Sequence, residues 1–231
     1  MTHSIPPNSD AIVVYGGWEG HQPALVARLF ADLLRQEGFT PHLADTLDAF
    51  LDAPQLGRLR LIVPVWTMGT ITKEQLEPVC QAVRAGVGIA GCHGGMCDSF
   101  RNSTEWQFMT GGQWVAHPGN DGVRYPVHLL DRTHPVLEGL ADFTVASEQY
   151  YMHVDPAARV LATTPFPTPG ADGPHTPNGP VQMPVLWTKH YGAGRVFYCS
   201  LGHQANILEA EPVRTIMRRG FVWAARQPNP S

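Results

Sequence analysis

Short apolar runs alternate with amphipathic segments in the first part of the chain. The runs at 11–17, 58–66 and 87–92 are almost continuously apolar, which is typical of parallel strands whose two faces are both covered. The segments 23–38 and 71–86 carry apolar residues at helical spacing, and each stops at a glycine. Strand and helix alternate at the spacing of βαβ units, so this half of the chain predicts a parallel sheet.

The second half is less regular. A stretch rich in proline and glycine predicts a long surface loop, and a segment that turns at "YGAG" predicts a hairpin. The predicted elements are strands at 122–131, 143–154 and 158–164, the loop at 165–180, the hairpin at 183–203 and a helix at 211–226. Together the two halves predict an α/β fold, a three-layer sandwich around a mostly parallel sheet, in a single domain over residues 10–227.

Histidines, a carboxylate and aromatic residues follow several of the predicted strands. Ligands of open parallel sheets bind beyond the carboxyl ends of the strands, so we expect these side chains to share one crevice. The candidates for catalysis are His93, Glu148 and His203. The candidates for substrate binding are Gly17, Trp18, His21, Trp66, His117, Tyr150, Tyr151 and His153.

The stretch "IAGCHGG" at 89–95 has the small residues of a nucleophile elbow, the tight strand-to-helix turn that presents a reacting side chain. Two registers fit the pattern, because either Cys92 or His93 can stand at the tip with small residues around it. A thiol at a helix N-terminus beside a histidine would be activated, so the residues alone leave both registers open.

Composition excludes some classes of function. The net charge of −4 gives no electrostatic basis for binding nucleic acid, and no apolar run reaches the length of a membrane span. The N-terminus lacks the pattern of a secretory signal, and the four cysteines show no C-x-x-C spacing, so we expect a cytoplasmic protein with reduced thiols. The glycines of "YGGWEG" do not follow G-x-G-x-x-G, so a dinucleotide-binding dehydrogenase is not expected.

Five segments resemble, in order, the ThuA-like (trehalose-utilisation) family: "GIAGCHGG", "FMTGGQWVAHPG", "HPVLEGL", "SEQYYMH" and "MPVLWTKHYGAGRVFYCSLGH". The resemblance covers about residues 11–226 and implies a flavodoxin-like fold of the class I glutamine amidotransferase type. It matches residues 91–93 to the family's Gly-x-His, where amidotransferases carry Gly-x-Cys, so it implies that His93 takes the nucleophile's position. No carboxylate stands two residues after His203, so the resemblance does not imply a glutaminase.

Family members are linked to the metabolism of disaccharides and 3-keto-sugars, often with a sugar dehydrogenase of the Gfo/Idh/MocA type. The resemblance therefore implies an enzyme that acts on such a sugar by acid–base chemistry at His93, Glu148 and His203. Two alternatives stay open: a non-catalytic sugar-binding or accessory subunit of that dehydrogenase, and a thiol hydrolase that uses Cys92.

The same residue types also form metal sites. Two histidines and a glutamate match a zinc or other divalent site with an open position, although no H-x-x-x-H or H-E-x-x-H spacing supports one. If a metal is present, the expected ligands are His93, Glu148 and His203. No other cofactor is predicted, and a homodimer is the oligomer that we expect.

Overall fold

The computed structural model describes residues 4–168 and 173–227. Its strands are β1 (Ala11–Gly17), β2 (Pro41–Ala44), β3 (Leu61–Thr67), β4 (Gly88–Cys92), β5 (Gly112–Ala116), β6 (Val123–Leu129), β7 (Phe143–Ser147), β8 (Tyr151–Val154), β9 (Arg159–Phe166), β10 (Val181–Tyr191) and β11 (Gly194–Cys199). Its helices are α1 (Pro23–Gln36), α2 (Ala53–Leu56), α3 (Lys73–Arg84), α4 (His93–Cys97), α5 (Thr104–Thr110), α6 (Ala205–Glu209) and α7 (Val213–Ala224). Helices and strands thus alternate through the first half as the apolar pattern predicts.

A nine-stranded sheet runs through the molecule in the order β2-β1-β3-β4-β11-β10-β9-β6-β7. The strands from β2 to β11 pair in parallel and have the strand order of flavodoxin-like sheets. From β11 onward the sheet continues with antiparallel pairs. The prediction of an α/β fold with a large central sheet is confirmed, and the antiparallel extension adds an edge that the pattern did not distinguish.

Two apolar cores cover the two faces of the sheet, which gives three layers. Successive strand residues point to opposite faces, so Val13 lies in one core and Ile12 in the other. Phe30 of α1 and Phe221 of α7 pack edge to face in the first core, with ring centroids 4.9 Å apart. Val83 of α3 packs in the second core. Continuous apolar strands are needed because each strand faces both cores.

The start of α3 is fixed by a capping box. The Thr72 hydroxyl accepts from the backbone N–H of Gln75 at 3.3 Å, and the Gln75 side chain accepts from the backbone N–H of Thr72 at 3.0 Å. The helix that the sequence predicts at 71–86 is therefore confirmed with slightly shorter bounds. The hairpin of β10 and β11 is also confirmed, with Tyr191 opposite Gly194 at its turn.

The prediction of one strand over 143–154 is wrong. The chain leaves β7 at Ser147 and resumes as β8 at Tyr151, in a separate two-stranded sheet with β5. The break coincides with the start of β6, because the last residue of β7, Ser147, pairs with Val123, and the backbone carbonyl of Glu148 accepts from the Tyr125 hydroxyl at 2.8 Å instead of from a strand. The predicted loop at 165–180 begins later, since β9 runs to Phe166, and its residues 169–172 lie outside the described residues.

Within the part of the chain that the structure describes, no helix combines the length and the apolar character needed to cross a bilayer.

Candidate functional site

The carboxyl ends of the parallel strands place three histidines together. His21 follows β1, His93 follows β4 and His203 follows β11, and Glu148 joins them from the end of β7. One ligand atom from each of these four residues lies within 4.8 Å of the others. The structure therefore brings His93, Glu148 and His203 together, with His21 beside them.

The turn after β4 puts His93 at its tip. His93 has φ 49°, in the left-handed region where a bulky residue is strained by about 1–2 kcal/mol. The Tyr198 hydroxyl donates to its backbone carbonyl at 3.0 Å, and the Tyr150 hydroxyl lies 2.8 Å from its Nδ1. A Cβ on Gly94 would lie only 2.7 Å from Cε1 of His21, so glycine is required for the close approach of His21. This is the strand–turn–helix geometry of an elbow, with His93 at its tip.

Glu148 stands between the imidazoles. One of its oxygens, Oε2, lies 3.4 Å from His93 Nε2 and 3.4 Å from His203 Nδ1, while Oε1 lies 3.9 Å from His117 Nδ1. Burial alone would raise the pKa of Glu148, but the neighbouring His203 and then His117 and His21 hold that pKa below its usual value. The carboxylate is therefore ionised at neutral pH.

The pKa values of the three histidines of the centre are shifted in different directions. Burial, and then the charge of His203, lowers the pKa of His21 to about 4. Burial, and then His21 and His203, lowers the pKa of His93 well below its usual value. Burial would also lower the pKa of His203, but the adjacent Glu148 carboxylate raises it above the usual value. His21 and His93 are thus neutral at pH 7, whereas the Glu148 carboxylate favours the protonated form of His203.

Several polar atoms at the site have no hydrogen-bond partner among residues 4–168 and 173–227. They are His93 Nε2, His203 Nδ1, His117 Nδ1 and Trp114 Nε1, and all four are buried. The 3.4 Å contacts to Glu148 are close in distance but lie outside hydrogen-bond geometry. Buried polar groups are rarely left unpaired, so a cluster of them indicates a place built for a ligand.

A cavity of about 290 Å³ opens over this centre, near the lower end of the size range of small-molecule sites. Its lining residues are Trp18, His21, Thr67, Met68, Asp98, Arg101, Trp114, His117, Glu148 and Tyr150. Thr67 orients His21 through a contact of 2.9 Å between its hydroxyl and Nδ1. The cavity therefore combines aromatic walls with ionisable groups at its base.

The profile of one protein family, ThuA (trehalose utilisation), matches residues 10–224. The chain belongs to the ThuA family. Family membership indicates a carbohydrate-related function. No curated protein matches the chain in sequence.

Solved structures show the same fold at low sequence identity. A ThuA-like protein from Parabacteroides merdae is 18% identical, with a TM-score of 0.72 over 96% of this chain and 93% of that chain. A ThuA-like protein from Bacteroides uniformis is 17% identical, with a TM-score of 0.72 over 94% of this chain and 91% of that one. A cytoplasmic protein from Salmonella typhimurium is 13% identical, with a TM-score of 0.66 over 94% and 100%.

In this ThuA-family chain, Cys92 points away from the site. Its side chain is buried in the first core together with Cys199, and burial raises its pKa well above the usual value of a thiol. A buried, protonated thiol is a poor nucleophile, so the geometry speaks against the thiol hydrolase that the sequence left open. His93, its neighbour at the elbow, instead packs beside His21, Tyr150 and Glu148.

Three of the side chains predicted to bind substrate do not line the cavity, and neither does Gly17. Trp66 packs its indole against the backbone at Gly16, where a Cβ would lie 2.6 Å from the ring. Tyr151 stacks on His175 with ring centroids 4.7 Å apart, and His153 is exposed. Tyr151 and His153 lie on β8, which the break after β7 carries into the small sheet.

Gly17 has a backbone role rather than a ligand contact. With φ 80° it closes the end of β1 against β3, where a Cβ would lie 2.0 Å from the carbonyl oxygen of Thr67. Trp18, beside it, lies edge-on to His21 at 4.7 Å between ring centroids and lines the cavity.

Two charged residues that line the cavity, Asp98 and Arg101, were not predicted from the sequence. Arg101 donates two hydrogen bonds to Asp98, at 2.6 and 2.8 Å, and its guanidinium lies 4.6 Å from the ring centroid of Trp114. The signal in the sequence was the Asp-x-x-Arg spacing directly after the elbow helix, which puts two opposite charges three residues apart. The Trp114 ring in turn lies 5.4 Å from that of His117.

Proposed function

We propose that this ThuA-family protein is an enzyme that acts on a disaccharide or 3-keto-sugar, with its chemistry at His93, Glu148 and His203. The observation that carries the proposal is the position of Glu148, which lines the cavity and whose Oε2 lies 3.4 Å from Nε2 of His93 and 3.4 Å from Nδ1 of His203. The family's link to sugar utilisation supports the substrate class.

The reaction that fits these groups is proton transfer beside a carbonyl. A 3-keto-sugar has an acidic C–H next to its ketone, so a base must take that proton while an acid supports the developing oxyanion. His93 is neutral and supplies the base when its Nδ1–H donates to the Tyr150 oxygen, since Nε2 then has a free lone pair. His203, paired with Glu148, supplies the acid.

The walls of the cavity suit a polyol. The rings of Trp18 and Trp114 offer flat apolar faces for the C–H face of a sugar. The indole N–H of Trp114 and Nδ1 of His117 have no partner among the described residues and can bond hydroxyl groups. Elimination, isomerisation or hydrolysis of a keto-glycoside could each begin with the same proton abstraction.

The test is turnover of 3-keto-disaccharides by the purified protein and by variants at the elbow. We expect His93→Gln to lower turnover by about 100-fold or more, because a positioned general base contributes about that much. The control His190→Gln removes an exposed histidine and should leave turnover unchanged. Cys92→Ala should also retain activity, because its thiol faces the core.

Other outcomes decide against the proposal. Loss in Cys92→Ala alone, with the folded structure intact by circular dichroism, would favour a thiol enzyme. Turnover that requires an added Gfo/Idh/MocA-type dehydrogenase, and that survives His93→Gln, would favour an accessory subunit.

A further inference from the structure

The possible ligand atoms of Glu148 and its neighbouring histidines have the spacing of a metal coordination shell. A tetrahedral cation with ligand bonds of about 2.1 Å holds its ligand atoms about 3.4 Å apart. Glu148 Oε2 lies 3.4 Å from His93 Nε2 and 3.4 Å from His203 Nδ1. His21 completes a set of four residues whose ligand atoms all lie within 4.8 Å of one another.

Two of these atoms are buried and have no other use in the fold. His93 Nε2 and His203 Nδ1 belong to side chains that are 2% and 8% exposed, and neither has a hydrogen-bond partner among the described residues. Leaving a polar atom buried and unpaired destabilises a protein, so a shared ligand at this point would satisfy both at once.

Hydrogen-bonding partners hold the second ring nitrogen of His21 and of His93, as is usual for histidines that bind a metal. The second nitrogen of a metal-bound histidine is normally held by a neighbouring polar group. Nδ1 of His21 lies 2.9 Å from the Thr67 hydroxyl, which leaves its Nε2 for a ligand. Nδ1 of His93 lies 2.8 Å from the Tyr150 hydroxyl, which leaves its Nε2 beside Glu148.

The types of donor atom indicate which cation the site would bind. Imidazole nitrogens with one carboxylate suit zinc and its first-row neighbours, whereas calcium and magnesium prefer shells of oxygen. Glu148 supplies negative charge to the cation, and the positive charge of Arg101 in the cavity wall is balanced by its hydrogen bonds to Asp98.

We propose that His21, His93, His203 and Glu148 bind one divalent first-row transition cation such as Zn²⁺. His21 is the ligand that the sequence did not suggest. The inference goes beyond the sugar reaction, since binding is measured without substrate. Nε2 of His93 cannot hold a cation and accept a proton at the same time, so the cation-bound protein and the cation-free protein are separate states of this centre.

The test is titration of the chelator-treated, dialysed protein with ZnCl₂ and CoCl₂, followed by calorimetry and by the visible spectrum of Co²⁺. We expect one ion per chain, an intense tetrahedral Co²⁺ spectrum and a higher Tm with Zn²⁺, while MgCl₂ and CaCl₂ have no effect. His21→Ala and Glu148→Gln should each weaken Zn²⁺ binding at least tenfold, and Tyr150→Phe should weaken it about tenfold. The matched control His190→Ala should bind Zn²⁺ as the parent does.

Absence of binding, or binding that survives His21→Ala and Glu148→Gln together, would overturn the metal site. The variants are first checked for folding by circular dichroism, and Tyr150→Phe serves as the mildest of them. Stoichiometric binding without sugar turnover would support the metal site and contradict the proposed function. Turnover by a protein that binds no cation would support the proposed function and contradict the metal site.

Discussion

Replacing Gly94 tests whether His21 must occupy its observed place. Gly94 lies in the first turn of α4 and does not have a positive φ, so alanine suits its backbone. The added Cβ would lie 2.7 Å from Cε1 of His21 and 2.9 Å from Cγ2 of Thr67, distances that neither pair of atoms can keep. The His21 ring must therefore move out of the centre in Gly94→Ala.

The stability change should be small because two effects oppose each other. Alanine gains about 1 kcal/mol over glycine inside a helix. Crowding a packed site costs about 1–3 kcal/mol. We expect Gly94→Ala to lose about 0–2 kcal/mol of the free energy of unfolding, which lowers Tm by at most about 8 °C in a chain of this size. Zn²⁺ affinity and sugar turnover should each fall at least tenfold, since an imidazole displaced by an ångström no longer completes the centre.

Urea unfolding and Zn²⁺ calorimetry on the same preparations separate the two effects. The matched control is Gly57→Ala, at φ −63° after α2, where the nearest atom to an added Cβ is 3.5 Å away. Its Zn²⁺ affinity should equal that of the parent. If Gly94→Ala binds Zn²⁺ as tightly as Gly57→Ala, His21 is not a required ligand and the packing argument at this turn is refuted.

Three further substitutions test the frame around the site. Tyr198→Phe leaves the buried His93 carbonyl without its donor, so unfolding in urea should show a loss of about 1–3 kcal/mol, and turnover should fall with it. Lys189→Met removes the buried amine that pairs with Asp155 and leaves that carboxylate without its cation. Thermal unfolding should show that the free energy of unfolding falls by about 2 kcal/mol, and Asp155→Asn should partly restore it. Thr72→Ala removes the cap of α3 and should cost about 1 kcal/mol in the same urea assay, with Zn²⁺ affinity unchanged.

The parallel half of the sheet could be predicted because its signals are local. A strand such as β3 faces a core on each side, so its apolar run is continuous and visible in the sequence. The start of α3 was equally visible, because both partners of the capping box, Thr72 and Gln75, lie within one helical turn. The sequence also placed His93, Glu148 and His203 at strand ends, where the structure brings them together.

The rest depends on contacts between distant segments. The break between β7 and β8 lies where the partner strand β6 begins and where Tyr125 bonds the carbonyl of Glu148, 23 residues away, and nothing in the alternation of residues 143–154 reveals it. For the same reason Tyr151 and His153 were predicted to meet the ligand but lie in the small sheet. His21 was expected only to touch substrate, because its distance from His93 depends on the glycine turn after β4.

The elbow shows how one backbone geometry can support a different chemistry. Small residues fit either register, so only the left-handed φ of His93 and the burial of Cys92 decide which side chain is presented. The sequence also lacks a carboxylate two residues after His203, yet the fold supplies one from Glu148, 3.4 Å away. An imidazole at the elbow is a base and a metal ligand, where a thiolate would be a nucleophile. With two more imidazoles and a carboxylate beside it, the centre therefore favours proton transfer or metal binding over the formation of a covalent thioester.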